Sequence, residues 1–120
     1  MTMKEILQSK GRAVLSVSAD ASLTDAVTLL AEKRIGALPV VEDGTVIGIV
    51  SERDVIYALA DIGGAALLTK VRDVMTAPAM TVELSCPVLT ALSLMSHRRI
   101  RHLPVLDGGT LYGFVSIGDL

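Results

Sequence analysis

The sequence predicts a mixed α/β (α+β) protein made of two β-α-β-β-α repeats packed into one module by pseudo-twofold symmetry. Three observations carry that prediction. The chain matches itself at a spacing of 65 residues. Each copy holds two apolar runs of strand type joined by a tight-turn dipeptide. Each copy also has a stretch in which apolar residues recur at helical spacing.

The self-match runs without a gap from residues 17–55 onto residues 82–120, with fourteen of 39 pairs identical. Leu38-Pro39-Val40 falls on Leu103-Pro104-Val105, Gly44-Thr45 on Gly109-Thr110, and Gly48 on Gly113. Val50-Ser51 falls on Val115-Ser116, Asp54 on Asp119, and Arg34-Ile35 on Arg99-Ile100.

Each repeat opens with an extended run, residues 13–17 and 79–83. A helix follows. In the first copy Ser22 is its expected N-cap, with Asp25 three residues on; in the second, Pro87 stands near the first helical position. Leu23, Ala26, Val27 and Leu30 form one apolar face, matched by Val88, Ala91, Leu92 and Met95, with Leu89 off that line. Strands come next at residues 37–42 and 45–50, joined by Asp43-Gly44, and Gly108-Gly109 takes the turn in the second copy. Ser51 then caps a helix carrying Val55, Ile56, Leu59 and Ile62, which Gly63-Gly64 ends.

The expected division is an N-terminal helical segment over 1–12, a first repeat over 13–64, a connector over 65–78 and a second repeat over 79–120. The last helix of that second repeat is truncated: Leu120 falls where it would begin, so the natural protein is expected to continue. One repeat of some 50–60 residues is marginal for independent burial, and two can cover each other. The apolar second helix points to a homodimer through helices, or else to deeper core.

Composition narrows the function. The chain of 120 residues is 51% hydrophobic, 20% charged and carries a net charge of -2, which fits a folded domain and lacks the basic footprint of a nucleic-acid binder. Tyr57, Tyr112 and Phe114 are the only aromatics, too few for base stacking. No apolar run is long enough for a membrane span or a secretory signal. The single Cys86 forms no internal disulfide, and a cytoplasmic location is expected.

The segments RIGALPVVEDGTVIGIVSERD and RIRHLPVLDGGTLYGFVSIGD, in their strand-helix-strand-strand-helix order, resemble the CBS domain family. The resemblance covers nearly the whole chain. The length and the SKGR and SIGD segments look like stand-alone bacterial proteins carrying a CBS pair. The resemblance implies a regulatory or sensor module, not an enzyme. It would bind an adenosine nucleotide (AMP, ADP, ATP, NAD or NADH) or S-adenosylmethionine in the clefts between the repeats, and act on a separate regulated protein.

By the same resemblance, Ser51 with Asp54 and Ser116 with Asp119 hold the ribose. A carboxylate has lone pairs enough for two vicinal hydroxyls, and a helix N-terminus nearby favours phosphate. The same residues also read as capping boxes, and both roles can coexist. Ile35, Gly36 and Ala37 in the first repeat, and Ile100, Arg101 and His102 in the second, are implied to line the clefts. The first set suits an adenine face. The second set, with Arg98 and Arg99, suits phosphate or else a solvated helix end. Ser16 and Thr81 are the polar candidates for base contacts. Gly118, between Ile117 and Asp119, leaves room for close approach, which favours Ser116/Asp119 as the better site.

No other chemistry stands out. His97, His102 and Cys86 match neither metal-ligand nor nucleophile-base spacing, and SKGR lacks the glycine run of a phosphate loop. A ligand-free oligomerisation or docking module is the alternative, and nucleic-acid binding through Arg98–Arg101 a weaker one.

Overall fold

The computed structural model describes residues 1–11 and 14–120. The expected boundary between residues 12 and 13, and the start of the first expected strand at Ala13, lie outside the described residues. In chain order the helices are α1 (Met3–Lys10), α2 (Leu23–Lys33), α3 (Glu52–Ile62), α4 (Val71–Val74) and α5 (Val88–Arg98). The strands are β1 (Val17–Ser18), β2 (Ala37–Glu42), β3 (Thr45–Ser51), β4 (Val82–Glu83), β5 (His102–Asp107) and β6 (Thr110–Ser116). Short 3-10 turns occupy Gly63–Leu68 and Ile117–Asp119. The class is mixed α+β, with two three-stranded sheets of order β1-β2-β3 and β4-β5-β6.

The chain forms two compact units. One is Leu15–Ala79; the other joins Met1–Val14 to Met80–Leu120. The N-terminal helix thus packs with the second repeat, and the connector packs with the first.

In the unit Leu15–Ala79, β2 and β3 form an antiparallel hairpin through Asp43-Gly44, both at positive φ (51° and 77°). β1 runs parallel to β2 but pairs only at Val17↔Val40 and Ser18↔Val41. The ladder is shorter than the extended run because Pro39 precedes Val40 and has no N–H to offer a longer β1. Pro104 stops β4 in the same way, at Val82↔Val105 and Glu83↔Leu106. α2 starts at Ser22, whose side chain accepts from the Asp25 N–H, and lays Leu23, Ala26 and Leu30 onto Leu38, Val40 and Val50. α3 has no fully buried residue. Val55 and Ala58 pack against the core, but Ile56, Tyr57 and Ile62 are half or more exposed, so that part of the helix is not core within one chain.

The connector is ordered by that same unit. Leu23 N–H donates to Thr69 C=O, Val71 N–H to Ala21 C=O and Arg72 N–H to Ala19 C=O. Thr76 then bridges Ile49 on the outer edge of β3 through two backbone bonds of 2.8 and 2.9 Å. Arg72 also pairs with Glu42 and Asp20; these exposed ion pairs contribute little to stability.

In the other unit α1 takes the place that residues 70–75 take in the first. Val88 N–H donates to Met1 C=O, Met3 N–H to Cys86 C=O and Lys4 N–H to Leu84 C=O. Met3 and Leu7 of α1 are buried with Ala91, Met95, Leu103, Val105 and Val115. Residues 2–7 and 70–75 share one pattern at a spacing of 68: Met3 with Val71, Lys4 with Arg72, Glu5 with Asp73, Ile6 with Val74, Leu7 with Met75. Each lead segment lies against a hairpin glycine. A Cβ on Gly48 would stand 2.8 Å from Met75 Sδ and 2.8 Å from the Thr76 carbonyl; one on Gly113 would stand 2.6 Å from both Leu7 methyls.

Two stability predictions follow from this packing. Leu7→Ala removes a side chain that is 1% exposed and leaves a cavity, so it lowers unfolding stability by about 2–5 kcal/mol in urea denaturation. A loss under about 1 kcal/mol would mean that α1 is not part of the second repeat's core. Gly48→Ala forces a methyl against a hydrogen-bonded backbone and costs about 1–3 kcal/mol in the same measurement. An unchanged midpoint would refute the close approach.

Candidate functional site

The two Ser-Asp pairs are built alike. β3 ends at Ser51, opposite Ala37 at the start of β2, and β6 ends at Ser116, opposite His102 at the start of β5. The chain turns into helix at each point. Glu52 N–H donates to Gly36 C=O (2.9 Å), and Ile117 N–H donates to Arg101 C=O (2.8 Å). The register therefore brings Gly36 and Ala37 beside Ser51 and Asp54. It brings Arg101 and His102 beside Ser116 and Asp119.

Both Asp residues close capping boxes. Asp54 Oδ2 accepts from the Ser51 N–H (2.9 Å) and hydroxyl (3.0 Å), and Asp54 N–H donates to Ser51 Oγ (3.3 Å). Asp119 Oδ2 accepts from the Ser116 N–H (2.7 Å) and hydroxyl (3.1 Å). The capping role is thus present at both positions, and all four side chains remain partly accessible.

Each carboxylate has one further donor, and the two donors differ. Thr76 Oγ1 donates to Asp54 Oδ1 at 2.8 Å. Lys10 Nζ donates to Asp119 Oδ2 at 2.5 Å. Burial works to raise the Asp119 carboxyl, but the bonds from Lys10 and Ser116 outweigh it and hold the group below the usual aspartate value. The sequence reading found neither Thr76 nor Lys10. No local pattern marks either, because their carboxylate partners lie 22 and 109 residues away along the chain.

The remaining candidates divide by place. Ile35 and Gly36 are half-buried and line an open groove between α2 and α3 with Leu30, Glu52, Val55 and Ile56. Ala37 is buried, so its side chain offers no ligand surface. Ile100 is half-buried, and Arg101, Ile117 and Gly118 are exposed. His102 stacks on Phe114 with ring centroids 5.5 Å apart. None of the ion pairs among the described residues involves Arg98, Arg99 or Arg101. Ser16 and Thr81 lead into β1 and β4, one strand away from the capped helix starts, so the sheet order does not bring them beside the carboxylates. Among the described residues no cluster of His, Cys, Asp and Glu could hold a metal ion, and no helix is long and apolar enough to cross a membrane.

The CBS domain family profile matches residues 4–61 and 71–120. A CBS-domain-containing protein from Agrobacterium tumefaciens is similar with a TM-score of 0.94 at 37% identity, over 99% of this chain and 95% of that one. A CBS domain protein from Pyrobaculum aerophilum, complexed with AMP, has a TM-score of 0.88 at 29% identity, over 100% and 90% of the two chains. The CBS domain-containing protein YhcV of Bacillus subtilis is 30% identical over 118 residues, 98% of this chain and 84% of its own. A mitochondrial CBS domain-containing protein of Arabidopsis thaliana is 36% identical over 99% of this chain, which spans only 62% of that relative's length. With both repeats matched by the profile and the whole fold shared with these relatives, the chain belongs to the CBS domain family, as a tandem pair.

Proposed function

We propose that this chain is a regulatory module that binds an adenosine nucleotide through Asp54 and Asp119 and passes the occupancy of those sites to a separate protein. The observation that carries the reading is the twice-built junction of a strand start and a Ser-capped helix, with a partly accessible carboxylate at each. AMP, ADP, ATP and NAD-type dinucleotides share the adenosine end that such a carboxylate would hold by its ribose hydroxyls. The AMP complex of the Pyrobaculum relative, at 29% identity, supports this ligand class.

In this reading the first repeat presents Ile35 and Gly36 to the base. In the second repeat Arg101 and His102 face the phosphates, with Ile100, Ile117 and Gly118 around them. Ser16 and Thr81 contribute from the neighbouring strand. The nucleotide acts as regulator, not as catalytic cofactor, and it shifts the module only so far as it binds one arrangement better than another. A second copy of the chain covers the exposed apolar residues of α3, Ile56, Tyr57 and Ile62. A hexameric CBS-CP12 protein from cyanobacteria, 30% identical over 99% of this chain, supports association. The lone thiol of Cys86 fits a cytoplasmic setting.

One observation favours a second reading, a ligand-free structural module. Each carboxylate already accepts three hydrogen bonds from its own chain, so neither needs a ligand to be satisfied.

Thermal unfolding with AMP, ADP, ATP, NAD, NADH and S-adenosylmethionine decides between them, on wild type, Asp54→Asn and Asp119→Asn. The expected result is a melting temperature that rises as ligand exceeds its Kd, with the rise reduced in at least one variant. No rise at millimolar ligand in the folded wild type would favour the structural module.

A further inference from the structure

We propose that Lys10 is a built-in competitor at Asp119, so that a ribose takes the second site against the Lys10 ammonium and binds more tightly when the ammonium swings away. The inference rests on the reading that Asp119 takes ribose hydroxyls.

Three donors crowd one oxygen, Asp119 Oδ2: the Ser116 N–H, the Ser116 hydroxyl and Lys10 Nζ. A carboxylate oxygen has about two lone-pair directions, which the two Ser116 donors already take, so Lys10 holds the carboxylate as a third, ionic partner. Ribose hydroxyls can reach Oδ1, but they must share the carboxylate's charge with an ammonium 2.5 Å from its other oxygen. Ser116 cannot withdraw without uncapping the turn that carries Asp119. Lys10 is the donor that can leave.

Its geometry suits a latch. Lys10 is the last residue of α1, and its backbone is fixed because Met3 and Leu7 are buried and the Gly11 N–H closes the helix on Leu7 C=O at 2.8 Å. Only the flexible four-carbon stem has to move. The Lys10 side chain is 39% exposed, so water can receive the ammonium without undocking α1.

The first site lacks this device. Thr76 engages Asp54 on Oδ1, while the cap uses Oδ2. Thr76 is neutral, and its hydroxyl can turn to accept from a ligand as well as donate to Asp54. Adenosine binding at Asp54 therefore meets no ionic competitor, and the two sites differ in affinity and in salt response. An exposed ion pair of this kind is worth up to about fivefold in an equilibrium constant.

The test isolates the second site in an Asp54→Asn background and titrates adenosine, which has no phosphate, and AMP by calorimetry. Adding Lys10→Met is expected to tighten adenosine binding about two- to fivefold, and Lys10→Arg to leave it near the background value. Raising salt from 50 to 300 mM should tighten adenosine binding in the Asp54→Asn protein and leave the Lys10→Met form flat. Equal or weaker adenosine binding in the Lys10→Met form overturns the competitor role; weaker AMP binding alongside it makes Lys10 a ligand contact instead. Binding by wild type that disappears in Asp54→Asn, with or without Lys10→Met, also overturns it but keeps the functional reading on Asp54. Binding of neither ligand to any folded form removes the functional reading and the latch together.

Discussion

One place without a side chain organises each repeat. At Gly48 and Gly113 the hairpin admits a lead segment so closely that a methyl group would collide with it. That approach seats Met75 and Thr76 on β3, and Leu7 on β6. From those seats the lead segments reach the helix cap, and the identity of the residue that arrives there sets the chemistry of the carboxylate. Packing at the hairpin and electrostatics at the cap are thus one arrangement. A dense interior transmits such a constraint because it has no slack in which to absorb it.

The carboxylates at Asp54 and Asp119 each answer to two demands. As caps they satisfy backbone donors where β3 and β6 turn into helical geometry, a role that fixes their position to within a hydrogen bond. As partners of Thr76 and Lys10 they tie the lead segment to the same corner. Capping pins one oxygen in both repeats. The other oxygen is where the repeats diverge, engaged by a neutral hydroxyl in one and left open beside an ammonium in the other. Near-identical backbones therefore carry unequal sites, and the inequality comes from residues outside the matched 39-residue pattern.

Much of this was legible in the residues. The hairpins, their turns, the Ser22 cap and the Ser-Asp pairs are local features, written in neighbours two to four positions apart, and they stand where the periodicity puts them. β1 and β4 are shorter than the extended runs suggested, since the prolines in β2 and β5 limit pairing from the far side. The α3 face reads as core or as interface by pattern alone; Val55 and Ala58 pack against the core, and exposure decides against core for Ile56, Tyr57 and Ile62. Lys10 and Thr76 were not legible. Their partners lie 109 and 22 residues away, and their segments repeat at 68, out of phase with the 65-residue spacing of everything else.

The exchange of lead segments also gives the fold a direction in time. Every residue of the unit Leu15–Ala79 is present once Ala79 leaves the ribosome, and its contacts are local in sequence. The other unit joins residues 1–14, made before that stretch, to residues 80–120, made after it. α1 must therefore wait, with Met3 and Leu7 uncovered, while a complete neighbour folds downstream of it. A nascent chain of this kind leaves those two apolar side chains without their partners for the whole middle of its synthesis. The same open interval allows α1 of one chain to dock in the second repeat of another.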